Sequence, residues 1–235
     1  MTLERSPVEW VSIVAHDLRQ PAHAILLGTE ILLDGTLDQH QRETIRRMRV
    51  SIDYLDRLLE DLTDAACIEA GRLPLRMREL ELGALICEVV VPERRRRIHV
   101  QVPRSGATVR CDPDRTRQVL ENLVSNAVKY GQPDTTIEIV VETLGAHALV
   151  TVLNRGPGIA ADEIATVFER YGRSREAVAG PARGSGLGLF IAKGLVEAQG
   201  GRIWVESVPG ERTMFRVMLP LAERASEVRE LQVAR

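Results

Sequence analysis

The chain has 235 residues, long for one small domain and enough for two. Hydrophobic residues make up 44% and aromatics only 3%, so a core is available but aliphatic side chains must fill it. A formal net charge of −2 excludes a general pull toward nucleic acid or acidic membrane surfaces.

Residues 1–69 contain almost no glycine, and apolar positions recur at Val8, Val11, Ala15, Leu18, Ala22, Ile25, Thr29 and Leu32, Thr29 being the one polar member. Steps that alternate three and four are those of a coiled-coil seam. Asp34-Gly35-Thr36 signals a turn, and the pattern resumes at Ile45, Met48, Ile52, Leu55, Leu59 and Leu62. Two helices joined by a short turn make an antiparallel hairpin. A single hairpin buries only part of two long stripes, so a homodimer closing a four-helix bundle is expected. Pro21 falls inside the first pattern and should bend that helix.

Gly71 and Pro74 end the helical pattern, and 70–76 reads as a linker. From 77 to 222 the composition changes. β-like runs occur at Ile98–Val102, Thr135–Glu142, Ala148–Leu153, Gly201–Ser207 and Thr213–Leu219. Helix-like runs lie near Leu82–Val90, Asp114–Lys129, Asp162–Phe168 and Gly186–Gln199. Strands and helices without regular βαβ alternation suggest an α/β sandwich, which makes the whole chain α+β. Arg94-Arg95-Arg96-Arg97 reads as a solvated loop or helix end, and the charged tail 223–235 as a fraying terminus.

Cys67, Cys87 and Cys111 form no CxxC pair, and their odd number argues against a disulfide framework. A reducing, cytoplasmic setting fits. The five histidines show no metal-ligand spacing, so no structural zinc is expected. No stretch approaches the ~20 apolar residues that span a bilayer, and no signal peptide is visible, so no direct membrane insertion is expected.

Two constellations carry chemistry. The first is His16, which a helical wheel turns roughly 130° from the Ala15/Leu18 seam, toward solvent. Its setting, Ser12-Ile13-Val14-Ala15-His16-Asp17-Leu18-Arg19-Gln20-Pro21, resembles the phosphoacceptor box of the sensor histidine kinases. A neutral imidazole nitrogen is a nucleophile, and a carboxylate on the other ring N–H fixes the tautomer. The resemblance gives that carboxylate to Asp17. Gln20 stands where the family usually has threonine or asparagine, the residue that orients water for dephosphorylating the partner. His23 reads as a surface residue.

The second constellation is a nucleotide site. Asn122-Leu123-Val124-Ser125-Asn126-Ala127-Val128-Lys129-Tyr130 resembles the asparagine box of the same family. Asn122 and Asn126 share one helix face, and amide oxygens are hard neutral ligands suited to magnesium. Asn126 matches the family's metal ligand, and Lys129 neutralises phosphate charge. Asn154-Arg155-Gly156-Pro157-Gly158-Ile159 resembles the first glycine box, with Asn154 in place of the aspartate that accepts from the adenine amine. Phe168-Glu169-Arg170-Tyr171 resembles the phenylalanine box, and Arg173 aligns with an arginine that reaches the terminal phosphate. Gly184-Ser185-Gly186-Leu187-Gly188-Leu189 resembles the second glycine box, where backbone N–H groups approach phosphate at a helix start. Gly172–Arg183 lacks apolar periodicity and reads as a mobile lid. Arg212-Thr213-Met214-Phe215 keeps the threonine and phenylalanine of the family's last motif but not its glycine.

The resemblance implies an ATP- and Mg2+-dependent autokinase of His16 that passes the phosphoryl group to a response-regulator receiver domain. It implies catalytic roles for His16, Asp17, Gln20, Asn122, Lys129 and Arg173. The alternatives are a catalytically weak scaffold that docks a regulator, a gyrase- or chaperone-type ATPase, and an anti-sigma serine kinase. The histidine hairpin disfavours the last two.

Overall fold

The computed structural model describes residues 7–91, 97–172 and 185–222. Arg94–Arg96, most of the expected lid, Arg173, Gly184 and the charged tail lie outside the described residues.

Helices α1 (Pro7–Leu33) and α2 (Gln39–Glu69) form the hairpin, and α1 runs unbroken past Pro21. Asp38 starts α2 with a capping box: its side chain accepts from the Gln41 N–H, and the Gln41 side chain accepts from the Asp38 N–H. The two expected seams divide into halves with a seven-residue spacing. Ala15, Ala22 and Thr29 meet Ile45, Ile52 and Leu59 inside the hairpin, all 2–8% exposed. Leu18, Ile25, Leu32, Met48 and Leu55 remain 41–53% exposed. Thr29 settles its hydroxyl on the Leu26 carbonyl at 2.6 Å.

The second unit is built on a five-stranded sheet in the order β2-β4-β5-β7-β6. Its strands are β2 (Ile98–Gln101), β4 (Ile137–Leu144), β5 (His147–Arg155), β6 (Arg202–Val208) and β7 (Arg212–Pro220). Only the β2–β4 pair is parallel. Helices α3 (Leu82–Val90), α4 (Pro113–Tyr130) and α5 (Gly188–Ala198) pack on the sheet. The core between the layers is aliphatic: Leu82, Ile86, Leu123, Ile137, Ile139, Ile191 and Leu195 are fully buried. An α+β chain with a hairpin and an α/β sandwich is therefore what the sequence pattern led one to expect.

Two short strands, β1 (Arg78–Glu81) and β3 (Thr108–Cys111), pair outside that sheet and were not expected. The expected helix at Asp162–Phe168 is absent. A run of tight turns takes its place, closed mostly by bonds three residues apart, such as Thr166 N to Glu163 O.

The linker is anchored at both ends. Gly71 takes a positive φ of 63° to close α2, Leu73 packs against the core, and the Arg76 N–H donates to Asp112 Oδ2 at 2.6 Å. The last turns of α2 also join the second unit. Ala65 is fully buried in its core, and Ile68 lies where a side chain on Gly194 of α5 would stand. Asp64 accepts from Arg115 Nη1 at 2.9 Å and Gln118 Nε2 at 2.7 Å. Arg170 Nη1 donates to Glu69 Oε1 at 3.0 Å.

Candidate functional site

Asp112 places α4. Its Oδ1 accepts from the Asp114 and Arg115 N–H groups, and Pro113 occupies the first turn. The helix then carries Asn122, Asn126, Lys129 and Tyr130 to the wall of a cavity of about 480 Å³, a size within the range of small-molecule sites. Asn154 at the end of β5 and Thr213 on β7 line the same cavity, as do Gly158, Ile159, Ser185, Gly186 and Gly188. Fragments as far apart in sequence as Asn122 and Thr213 thus share one chamber.

The glycines at its rim are there for steric reasons. Gly158 has a φ of 74°, and a Cβ there would come 2.6 Å from the Val208 carbonyl oxygen. Gly186 has a φ of 72°, and its Cβ would press on the Tyr171 backbone at 2.9 Å. Asn122 Nδ2 donates to the Gly188 carbonyl at 3.1 Å, tying α4 to the start of α5. Ser185 Oγ accepts from the Leu187 N–H at 3.2 Å and so shapes the turn before α5.

Three of the expected nucleotide contacts stand behind the wall. Phe168 packs edge-on against Phe215 at 6.2 Å, and it is Phe215 that lines the cavity. Leu187 is buried at the head of α5. Gly156 is held by its N–H on the Glu211 carbonyl at 3.1 Å. The opposite wall was not expected. Tyr54, Arg57, Leu58, Glu60 and Asp61 of α2 close it, and Asp61 Oδ2 accepts from Ser185 Oγ at 3.3 Å. Burial raises the Asp61 carboxyl above its ordinary range; the Ser185 hydroxyl opposes this, and the Asp64 and Glu60 charges add to it.

His16 lies on α1, outside the cavity, with its side chain 68% exposed. Its Nδ1 faces Asp17 Oδ1 at 3.5 Å, at the outer edge of hydrogen-bonding range. Arg19 Nε donates to Asp56 Oδ1 at 2.8 Å, and His23 Nε2 is 4.0 Å from Asp56 Oδ2. Gln20 is exposed beside them. The structure therefore brings most of the residues expected at a nucleotide site to one cavity, sets Gly156, Phe168 and Leu187 behind its wall, and leaves the histidine box on a separate surface.

Two family models match this chain. Residues 8–71 match the His Kinase A (phospho-acceptor) domain, and residues 111–223 match the Histidine kinase-, DNA gyrase B-, and HSP90-like ATPase. The chain belongs to the sensor histidine kinase family. Among histidine kinases similar to it is the circadian input-output histidine kinase CikA of Synechococcus elongatus, 33% identical over 90% of this chain and 30% of that protein. Another is the sensor histidine kinase GlrK of Escherichia coli, 30% identical over 93% of this chain and 47% of that protein. The crystal structure of full-length ShkA in complex with AMPPNP superposes with a TM-score of 0.77 and 27% identity, over 91% of this chain and 46% of that one. The chain spans roughly a third to three-fifths of the length of the first curated relatives it matches. No helix among the described residues is long and apolar enough to cross a membrane.

Proposed function

We propose that this histidine kinase chain binds ATP with Mg2+ in the α2/α4/α5 cavity, phosphorylates His16 and passes the phosphoryl group to an aspartate of a response-regulator receiver domain. The observation that carries this is the convergence of Asn122, Asn126, Lys129, Asn154 and Thr213 on one cavity, in a chain that also exposes an imidazole beside a carboxylate.

The residues present fit a magnesium nucleotide. Asn126 offers a neutral amide oxygen at the wall, a hard donor suited to an ion that keeps water and phosphate ligands. Magnesium supplies charge neutralisation when bound. Lys129 adds a cation from the last turn of α4, and Gly158 and Gly186 let the chain segments at the rim pack tightly against Val208 and Tyr171. Asn154 and Thr213 face the base. Asn122 holds the α4–α5 corner.

With Nδ1 toward Asp17, Nε2 is the ring nitrogen left with a lone pair. That lone pair attacks the γ-phosphorus, the bond to the bridging oxygen breaks, and ADP leaves with its electrons. The Nδ1 proton stays toward Asp17, which stabilises the charge developing on the ring. Positioning and charge neutralisation supply most of the acceleration in such a transfer. The transfer requires the ATP-binding unit to move relative to the hairpin, or a partner hairpin to present its own His16. The exposed Leu18/Ile25/Leu32 and Met48/Leu55 rows support a homodimer through the hairpin.

The test is incubation with γ-labelled ATP and Mg2+. Acid-labile, base-stable label that is lost in His16→Gln is expected, and acid-stable label, or label that survives in His16→Gln, overturns the assignment. Nucleotide binding without any label points instead to a scaffold.

A further inference from the structure

Three residues stand side by side across three strands at the base end of the cavity. Thr213 of β7 is the register partner of both Asn154 of β5 and Ser207 of β6. Asn154 and Thr213 are 4% and 6% exposed and line the cavity, whereas Ser207 lies behind Thr213 and does not. Ser207 belongs to none of the motifs that mark the nucleotide site in the sequence.

The hydrogen bonds of Ser207 are fully assigned by elementary counting. A serine hydroxyl has one proton and two lone pairs. Its proton goes to the Arg212 carbonyl at 2.9 Å, since a carbonyl only accepts. One lone pair takes the Ile159 N–H at 2.9 Å. The remaining contact is Thr213 Oγ1 at 3.1 Å. With the serine proton committed, Thr213 is the donor in that pair. Thr213 therefore meets the cavity with lone pairs only.

Asn154 is biased the same way. One of its two Nδ2 protons goes to the Arg155 carbonyl at 3.4 Å, which draws Nδ2 toward the backbone and keeps Oδ1 available as an acceptor. Two acceptors in one cross-strand row suit an exocyclic amine, whose two N–H groups both donate. They oppose a carbonyl at the same place. Adenine carries an amine on its six-membered ring where guanine carries a carbonyl.

We infer that Ser207 is a positioning residue for base specificity. By fixing the Thr213 proton away from the cavity, it makes this site prefer adenine to guanine nucleotides although Asn154 carries no charge. This rests on the nucleotide reading given above. Without Ser207 the Thr213 hydroxyl is free to rotate and donate to a carbonyl, and the penalty against guanine shrinks.

The experiment is calorimetric titration of the chain with Mg-ATP and Mg-GTP, in the parent, Ser207→Ala and Ser207→Thr. The parent is expected to favour ATP. Ser207→Ala should lower the ATP:GTP affinity ratio by roughly fivefold to tenfold, the worth of about one hydrogen bond, and Ser207→Thr should restore it. The loss of the Ile159 partner in Ser207→Ala weakens both nucleotides alike, so the ratio, not either affinity, is the readout. A ratio unchanged in Ser207→Ala, or reduced equally in Ser207→Thr, overturns the inference and leaves the nucleotide site standing. A parent chain that binds neither nucleotide overturns both.

Discussion

At Asp61 burial works against ionisation. The carboxyl sits at the cavity wall with its pKa raised, first by desolvation and then by the nearby Asp64 and Glu60 charges. A carboxyl whose pKa is raised on folding favours the folded state most at pH values below its ordinary range. That contribution is lost as pH rises through the folded value. Asp61→Asn removes the titration. Its melting temperature should match that of the parent near about pH 3 and exceed it by roughly 1–2 °C near about pH 8, a modest shift because the group is partly exposed and screened. Equal melting temperatures across the range, measured by calorimetry, would show that the desolvation has no thermodynamic weight. Asp61 also shows where sequence reading stops. Asn122, Asn126, Lys129, Asn154 and Thr213 were legible because each falls in a motif with fixed local spacing. Asp61 meets Ser185 across 124 residues, and Ser207 acts through a neighbouring strand. Neither contact leaves a periodicity or a motif in the chain.

Among the elements, α2 does two jobs with one helix. Its first turns are set by the Asp38–Gln41 box, a signal present in the sequence as an aspartate followed three residues later by glutamine. Its middle follows the heptad rows, and its last two turns leave the hairpin to pack on α5 through Ala65 and Ile68. The heptad pattern was legible as far as Leu62. The docking of the final turns was not, since a small residue on α5 opposite an isoleucine on α2 has no local signature. Gly194→Ala tests that contact. Its Cβ would come 2.6 Å from Ile68 Cγ2, so the end of α2 must shift. The expected result is a loss of about 1–3 kcal/mol in unfolding free energy, as for other overpacked contacts, with faster proteolytic cleavage in the Gly71–Pro74 linker. Unchanged cleavage would mean that Ile68 simply changes rotamer. The missing helix at Asp162–Phe168 and the unexpected β1 and β3 share one cause: each segment is too short for its period to outweigh its surroundings.

For the whole molecule, the exposed rows on α1 and α2 are the surface through which the proposed homodimer would form. Leu18, Ile25, Leu32, Met48 and Leu55 would be costly to leave in water, and their seven-residue spacing matches the rows already buried within the hairpin. Ile25→Glu combined with Leu55→Glu should give a species near 26.1 kDa by sedimentation velocity, against twice that mass for the parent, with ATP affinity retained. A parent that sediments as a monomer, or a double variant that stays dimeric, would place the assembly surface elsewhere. One feature of α2 then acquires a mechanical meaning. Its 31 residues make a continuous rod of about 46 Å at the usual helical rise, paired with α1 along the hairpin and packed on the sandwich core at its last turns. Its flank is a wall of the nucleotide chamber. A turn of the hairpin about its own axis would therefore reach the chamber wall through α2 itself, since the residues that line the wall lie within the helix.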